Sequence, residues 1–238
     1  MIITALTKFT AIDFPGRLAC ILFTGGCNFR CGFCHNAEFV LPERLKELTN
    51  TIPFETVLNF LSERRGLLDG VSICGGEPTI NVDLPEKMRE IKNLGFQIKL
   101  DTNGSNPAML EKIIEGGLVD YLAMDIKDAL PYRSELVGVE VGEVTLRQSI
   151  GLIKKAGVEK GIEYEFRSTI LPGFHDLETV RKMGDSIAGA KKWVLQGFRG
   201  GKTLSDSFRD MPSFSTDELK EMSQYLTVYA DKVEFRPA

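Results

Sequence analysis

Residues 25–36 read GGCNFRCGFCHN and hold three of the five cysteines in a chain of 238 residues. Cys27, Cys31 and Cys34 admit four kinds of chemistry. A structural zinc site takes four ligands. His35 follows Cys34 directly, and adjacent residues rarely both reach one tetrahedral ion, while Cys20, Cys74 and His175 lie elsewhere in the chain. A redox dithiol uses Cys31 and Cys34 and leaves Cys27 without a purpose. Disulfides are disfavoured in a reducing compartment. The remaining choice is an iron–sulfur cluster, because thiolates on one short loop can reach several irons. A four-iron cube with three cysteines keeps one iron open, and an open position is a mark of catalysis. Gly25, Gly26 and Gly32 let a short backbone wrap a bulky group. Cys20 and Cys74 fall in apolar runs and are expected to behave as small buried residues.

Other chemistry-bearing residues fall just after apolar runs. Gly75, Gly76 and Glu77 precede Pro78; Asp101, Thr102, Asn103 and Gly104 follow FQIKL; Asp125 and Lys127 close VDYLAMDIK; Arg167 lies in GIEYEFRST; KWVLQG leads into Phe198. The elements that must position them follow from the alternation of short apolar runs and amphipathic stretches, which is βα punctuation. Strands are expected at 17–24, 69–74, 96–101, 119–126, 161–169 and 192–197, with a short last one around 233–235. Helices are expected at 53–65, 84–94, 107–116, 144–157 and 176–187. A last helix at 215–226 opens with Ser215 and Glu218 in the spacing of a capping box.

Six βα pairs are too few for the closed eight-fold barrel. They fit an α/β fold in the form of an open partial (β/α)6 barrel, with a flat doubly wound sheet as the alternative. In both, function sits at the C-terminal ends of the strands, where the polar residues above fall. With no repeat and no linker rich in Pro, Gly or Ser, one domain over 1–238 is expected, with a cluster loop at 25–36 and a terminal helix and strand at 215–238.

The net charge of −4 and pI near 5.4 disfavour a nucleic-acid partner. The N-terminal residues lack the pattern of a signal peptide, and LACILF at 18–23 is far too short to cross a membrane. A cytoplasmic protein is expected.

CNFRCGFC followed by His35-Asn36, with GGEP one strand later, resembles the radical S-adenosylmethionine (SAM) enzymes. The opening TKFTAIDFPGRLACILFTGGCNFRCGFCHN is similar to that of the activating enzymes for glycyl-radical proteins. Among these it looks most like the longer anaerobic ribonucleoside-triphosphate reductase activating proteins, with pyruvate formate-lyase activating enzyme as a near relative. LDTNG, MDIK and ILPGFHD continue the resemblance, which fades after about residue 200.

The resemblance implies a radical SAM oxidoreductase with a [4Fe-4S] cluster on Cys27, Cys31 and Cys34, SAM on its open iron, and no acid/base machinery. Gly75, Gly76 and Glu77 would meet the SAM amino group. Asp101 and Asp125 would lie near the ribose and methionine, Lys127 would face the SAM carboxylate, and Arg167 would also belong to the site. Phe33 and His35 would lie against the adenine, and Asp101, Thr102 and Asp125 would hold a monovalent cation. One-electron reduction would cleave SAM to methionine and a 5′-deoxyadenosyl radical, which would take a hydrogen from a glycine Cα of a partner glycyl-radical enzyme. A reduced flavodoxin or ferredoxin would supply the electron. In place of the late histidine of the pyruvate formate-lyase relative, this chain has Leu195, Gln196, Gly197 and Phe198.

Plainer roles stand beside these. Glu77, Asp101, Asp125 and Lys127 could be solvated loop charges, although their positions at strand ends argue for a site. His35 could cap a helix. His175, before Asp176 in a Pro-Gly turn, reads as a turn residue rather than a ligand. Two other functions fit the cysteines: a radical SAM enzyme acting on a small molecule, such as a 7-carboxy-7-deazaguanine synthase, or on another protein; and a non-catalytic metal module that docks a partner.

Overall fold

The computed structural model describes residues 1–47 and 51–238. Among the described residues, eight strands form one sheet: β1 (Ile3–Thr10), β2 (Ala19–Thr24), β3 (Gly70–Gly75), β4 (Gln97–Thr102), β5 (Tyr121–Asp125), β6 (Glu163–Ile170), β7 (Ala190–Gly197) and β8 (Ala230–Arg236). Their order in the sheet is their order in the chain, and β1 and β8 are its two edges. The sheet is therefore open, in an α/β architecture of the expected class. The β2, β3 and β4 ladders are parallel, as are those of β6, β7 and β8. The helices are α1 (Ala37–Val40), α2 (Pro42–Glu47), α3 (Phe54–Ser62), α4 (Leu84–Asn93), α5 (Pro107–Glu115), α6 (Ser134–Val137), α7 (Glu143–Glu159), α8 (Leu177–Ile187) and α9 (Thr216–Tyr225).

The chain forms two compact units. The first comprises Met1–Asn28, Glu38–Thr102 and Asn106–Leu122; the second comprises Phe29–Ala37, Asn103–Ser105 and Ala123–Ala238.

In the first unit, β3 is buried at four consecutive residues, Gly70–Ile73, as expected of a parallel strand covered on both faces. β1 departs from the sequence expectation: ITALTKFT pairs antiparallel with β2 at the sheet edge, and Thr7, Lys8 and Phe9 are exposed. Its threonines and Lys8 suit an edge that must resist further pairing. The helices follow their apolar spacing. Leu84, Met88 and Ile91 recur every three or four residues in α4 and are fully buried. The Asn106 side chain caps α5 by accepting the Met109 N–H at 3.2 Å. Between β1 and β2, the buried Phe14 packs edge-on against Tyr121, with ring centroids 5.9 Å apart, and the Arg17 guanidinium lies over the Phe14 ring.

In the second unit, Asp176 caps α8 by accepting the Thr179 N–H at 2.7 Å. Ser215 and Glu218 form the expected reciprocal box at the start of α9. The final strand runs longer than expected because its pairing with β7 extends from Ala230 to Arg236. Trp193, the chain's single tryptophan, is fully buried in β7 and its indole N–H donates to Ser168 Oγ at 3.0 Å.

That bond yields a stability test. Ser168→Ala leaves a buried N–H unpaired and should cost about 1–3 kcal/mol. Urea unfolding followed by Trp193 fluorescence should show a lower midpoint with an unchanged slope.

Candidate functional site

In the first unit, the glycines after β3 are strapped to the loop after β2. The Gly76 N–H donates to Thr24 O at 2.8 Å, and the Glu77 N–H donates to Gly26 O at 2.8 Å. No side chain fits at this approach: a Cβ on Gly75 would meet the Thr24 backbone, and one on Gly76 would strike the Gly26 carbonyl. Gly75 also has a φ of 113°, open to glycine alone without strain. The strap fixes the backbone next to Cys27, which is half-buried.

Glu77 is only 1% exposed. Its Oε1 accepts from the Thr79 N–H (3.1 Å), the Thr79 hydroxyl (2.6 Å) and the Thr102 hydroxyl (2.8 Å). Three donors on one oxygen hold the carboxylate in a single orientation. Asp101, at the end of β4, is paired with the fully buried Lys99, which also lies 3.6 Å from Asp13.

In the second unit, the other half of the cysteine loop is held by two segments. The Arg30 N–H donates to Val137 O at 2.8 Å, the Ser205 N–H to Gly32 O at 2.9 Å, and the Leu204 N–H to Cys34 O at 3.0 Å. Gly32 faces the ring of Phe208, where a Cβ would clash. Phe208 stands edge-on to Phe33 at 6.2 Å and stacks on Phe174 at 5.7 Å. His35 is exposed, and its ring meets the buried Phe198 edge-on at 5.7 Å. The 195–198 segment, which lacks the relative's histidine, thus presents Phe198 to His35, while Leu195 is buried and Gln196 exposed.

Asp125, at the end of β5, sits among cations. Its Oδ1 accepts from Arg167 Nε (3.1 Å) and Nη2 (3.0 Å), and its Oδ2 from Lys127 Nζ (3.1 Å). Desolvation by itself would raise this carboxyl; the charges of Lys127 and Arg167 outweigh it and bring the pKa down to about 2. Burial would likewise lower Lys127, but Asp125 opposes it and the ammonium ends with a raised pKa. Lys127 Nζ also lies 5.8 Å from the Phe33 ring centre, within cation–π range. The Tyr132 hydroxyl donates to Asp125 O at 3.3 Å.

The cysteines are thiols rather than disulfides. Burial pushes Cys31 up to about 11, against the pull of Lys127, and raises Cys34 as well. Cys20 is buried within β2 and pushed up to about 12 by desolvation, consistent with a packing role. Among the described residues, no group of three or more His, Cys, Asp or Glu side chains has the arrangement of a site for a single metal ion. The donor chemistry fits a cluster: Cys31 and Cys34 are partly enclosed thiols linked by the Cys34 N–H to Cys31 O bond of 3.0 Å, and soft sulfur is the ligand iron–sulfur centres use.

The expected site residues therefore gather in two sets. Gly75, Gly76, Glu77, Asp101 and Thr102 belong to the first unit with Cys27; Phe33, His35, Asp125, Lys127 and Arg167 belong to the second with Cys31 and Cys34. Supporting residues that the sequence reading passed over are Lys99, Asp13, Phe174, Val137 and the 204–208 segment. His175 is fully buried: its Nδ1 accepts the Leu171 N–H at 2.9 Å, so its Nε2 donates to Lys127 O at 3.0 Å. It is a structural turn residue, as expected, that also ties down the backbone of Lys127.

A family model described as the radical SAM superfamily matches residues 21–184, and the chain belongs to that superfamily. Its cofactors are accordingly a [4Fe-4S] cluster and SAM. Within the superfamily it is related to the glycyl-radical enzyme activating enzymes. It is 27% identical to a Methanocaldococcus jannaschii protein provisionally named a glycyl-radical enzyme activating enzyme, over 99% of this chain and 95% of that protein. It is 26% identical to the 7-carboxy-7-deazaguanine synthase of Thermococcus kodakarensis, over 76% of this chain and 74% of that protein. To the pyruvate formate-lyase-activating enzyme of Streptococcus mutans it is 28% identical, over 80% of this chain and 73% of that enzyme. The crystal structure of Streptococcus suis SuiB bound to S-adenosylmethionine shares the fold, with a TM-score of 0.64 at 17% identity, covering 92% of this chain and 51% of SuiB. The chain thus spans about half the length of that protein. No helix among the described residues is long and apolar enough to cross a membrane.

His175 gives the site a pH signature. Burial lowers its pKa in the folded protein, so the unfolded chain binds the proton more readily. Stability from this group is present above the unfolded value of about 6.5 and falls away as pH drops through it. Denaturation midpoints should decrease from pH 7.5 to 5.5, and His175→Gln should flatten that dependence while lowering stability at pH 7.5.

Proposed function

We propose that this chain activates a glycyl-radical enzyme, and that its protein substrate is an anaerobic ribonucleoside-triphosphate reductase. The observation that carries the reading is the match, over nearly the full length of both chains, to the Methanocaldococcus jannaschii protein named as an activating enzyme. The opening IDFPGR and the CNFRCGFCHN loop support the particular partner. When bound, the cluster and SAM supply a one-electron cleavage of the sulfonium and a carbon-centred oxidant that removes a hydrogen atom.

The residues of this chain hold and aim those groups. Cys27, Cys31 and Cys34 ligate the cluster. Gly75 and Gly76 keep the backbone clear for the SAM amino group, and Glu77, held by three donors, accepts from it. Asp101 orients the ribose or methionine portion. Lys127 faces the SAM carboxylate in an orientation set beforehand by Asp125, and Arg167 holds Asp125 from the other side. Phe33 and His35 pack on the adenine, backed by Phe208 and Phe198. Prior fixation of this kind is how a protein contributes to cofactor chemistry: it holds the reacting atoms in place and keeps water away. The electron comes from a reduced flavodoxin or ferredoxin in the cytoplasm, and 1–238 acts as one domain.

A second reading, action on a small molecule, draws on the similarity to the 7-carboxy-7-deazaguanine synthase. Anaerobic reconstitution separates the two. The loaded protein should bind roughly four irons per chain and, with dithionite and SAM, release 5′-deoxyadenosine. Cys34→Ser should cut that release by at least about a hundredfold, since even outer-shell changes cost roughly 10–100-fold. Mixing with the reductase should produce a glycyl radical by electron paramagnetic resonance. SAM cleavage without that radical, but with turnover of a small purine-like substrate, favours the second reading; zinc in place of iron ends both.

A further inference from the structure

The resemblance assigns a monovalent cation to Asp101, Thr102 and Asp125, and the structure has already filled that role from within. Gln97, Lys99 and Asp101 alternate onto one face of β4, with Ile98 and Leu100 on the other. Lys99 is 0% exposed, which is rare for lysine, and its ammonium bonds the Asp101 carboxylate directly. On its other side stands Asp13, whose Oδ2 is buried with no hydrogen-bond partner and lies 3.6 Å from Lys99 Nζ.

Asp13 is delivered by the turn between β1 and β2. The Asp13 N–H is bonded to Thr10 Oγ1, Phe14 packs beneath Gly70, and Arg17 reaches Gln97 on the same face of β4 as Lys99. The ammonium is thus fixed by a strand and a turn, between two carboxylates. A metal cation brought to Asp101 would meet this fixed like charge. Asp125, in the other unit, is likewise saturated by Lys127 and Arg167.

We propose that Lys99 is a built-in monovalent cation: a positioning residue that holds the Asp101 carboxylate oriented toward SAM, and so frees this protein from any need for potassium or sodium. The proposal rests on the SAM-binding role given to Asp101 above. The reconstituted holoenzyme is titrated with SAM in potassium, sodium or tetramethylammonium chloride at one ionic strength. Wild-type affinity should agree within about twofold across the three salts, because constant ionic strength leaves only specific cation effects. Lys99→Met should bind SAM about tenfold more weakly in tetramethylammonium, with most of the loss restored by potassium, since the carboxylate then recruits an outside charge. Restoration by potassium separates this role from a merely structural one. Thallous-ion NMR gives a direct reading that needs no SAM: wild type should bind no thallous ion, and Lys99→Met should bind one.

The proposal is overturned if wild type loses affinity tenfold without potassium, if it binds thallous ion, or if Lys99→Met matches wild type in every salt. If Lys99→Met does not fold, the wild-type salt series and thallous measurement decide. A chain that binds no SAM in any salt refutes the SAM role of Asp101, and the thallous comparison then decides the cation question separately.

Discussion

A carboxylate held at the end of a buried strand must find its counter-charge inside the protein, and much of this structure follows from meeting that demand. Asp125 draws Lys127 from two residues onward and Arg167 from β6; Asp101 draws Lys99 from two residues back. For Lys99 and Asp101 the i and i+2 spacing is the natural solution on a strand, because it places both charges on one face of β4. Leaving any of these ions buried alone would cost several kcal/mol, so the pairs are best understood as sets that are kept or lost together. The outcome for Asp125 is clear: neighbouring cations defeat desolvation and its pKa falls to about 2.

Charge alone does not place a loop, and here backbone hydrogen bonds take over. The cysteine loop is fastened at Gly26 to Glu77, at Arg30 to Val137, at Gly32 to Ser205 and at Cys34 to Leu204. Every one of these bonds is made by main-chain atoms, so the loop's path depends on close approach rather than on particular side chains. This explains the glycines better than flexibility does. Gly76 and Gly32 lack room for a methyl group against the Gly26 carbonyl and the Phe208 ring. The same logic explains why Phe208 matters although the resemblance has faded by that point in the chain: it fills the space that Gly32 opens and then supports Phe33.

How much of this was legible in the sequence depended on the physical signal each element carries. Parallel strands covered on both faces are continuous apolar runs, so β2 through β7 stood out, and amphipathic helices such as α4 and α8 declared themselves by spacing and caps. β1 did not, because a partly exposed edge strand with three threonines and one lysine among its eight residues has neither signature. The short α1, α2 and α6 lack the length that periodicity needs. Candidate site residues at strand ends could be picked out because polar groups there interrupt apolar runs. Phe208, Ser205 and Val137 were not, since their importance lies in long-range contacts that local composition cannot express.

Lys99 marks the boundary between these cases. In FQIKLD the lysine alternates correctly for a strand with one solvated face, and the ordinary inference is an exposed charge. Only the turn carrying Asp13 and Phe14, folded back over that face of β4, converts it into a fully buried ammonium. The turn comes from IDFPGR, the same stretch whose likeness to activating enzymes is visible in the sequence. A motif that reads as a family signature thus has a definite physical task here: it closes one face of β4, brings a second carboxylate to Lys99, and leaves Asp101 with a counter-charge that cannot diffuse away. The lysine and the turn are therefore energetically coupled: removing Lys99 while the turn stays would leave Asp13 and Asp101 without the ammonium that both face.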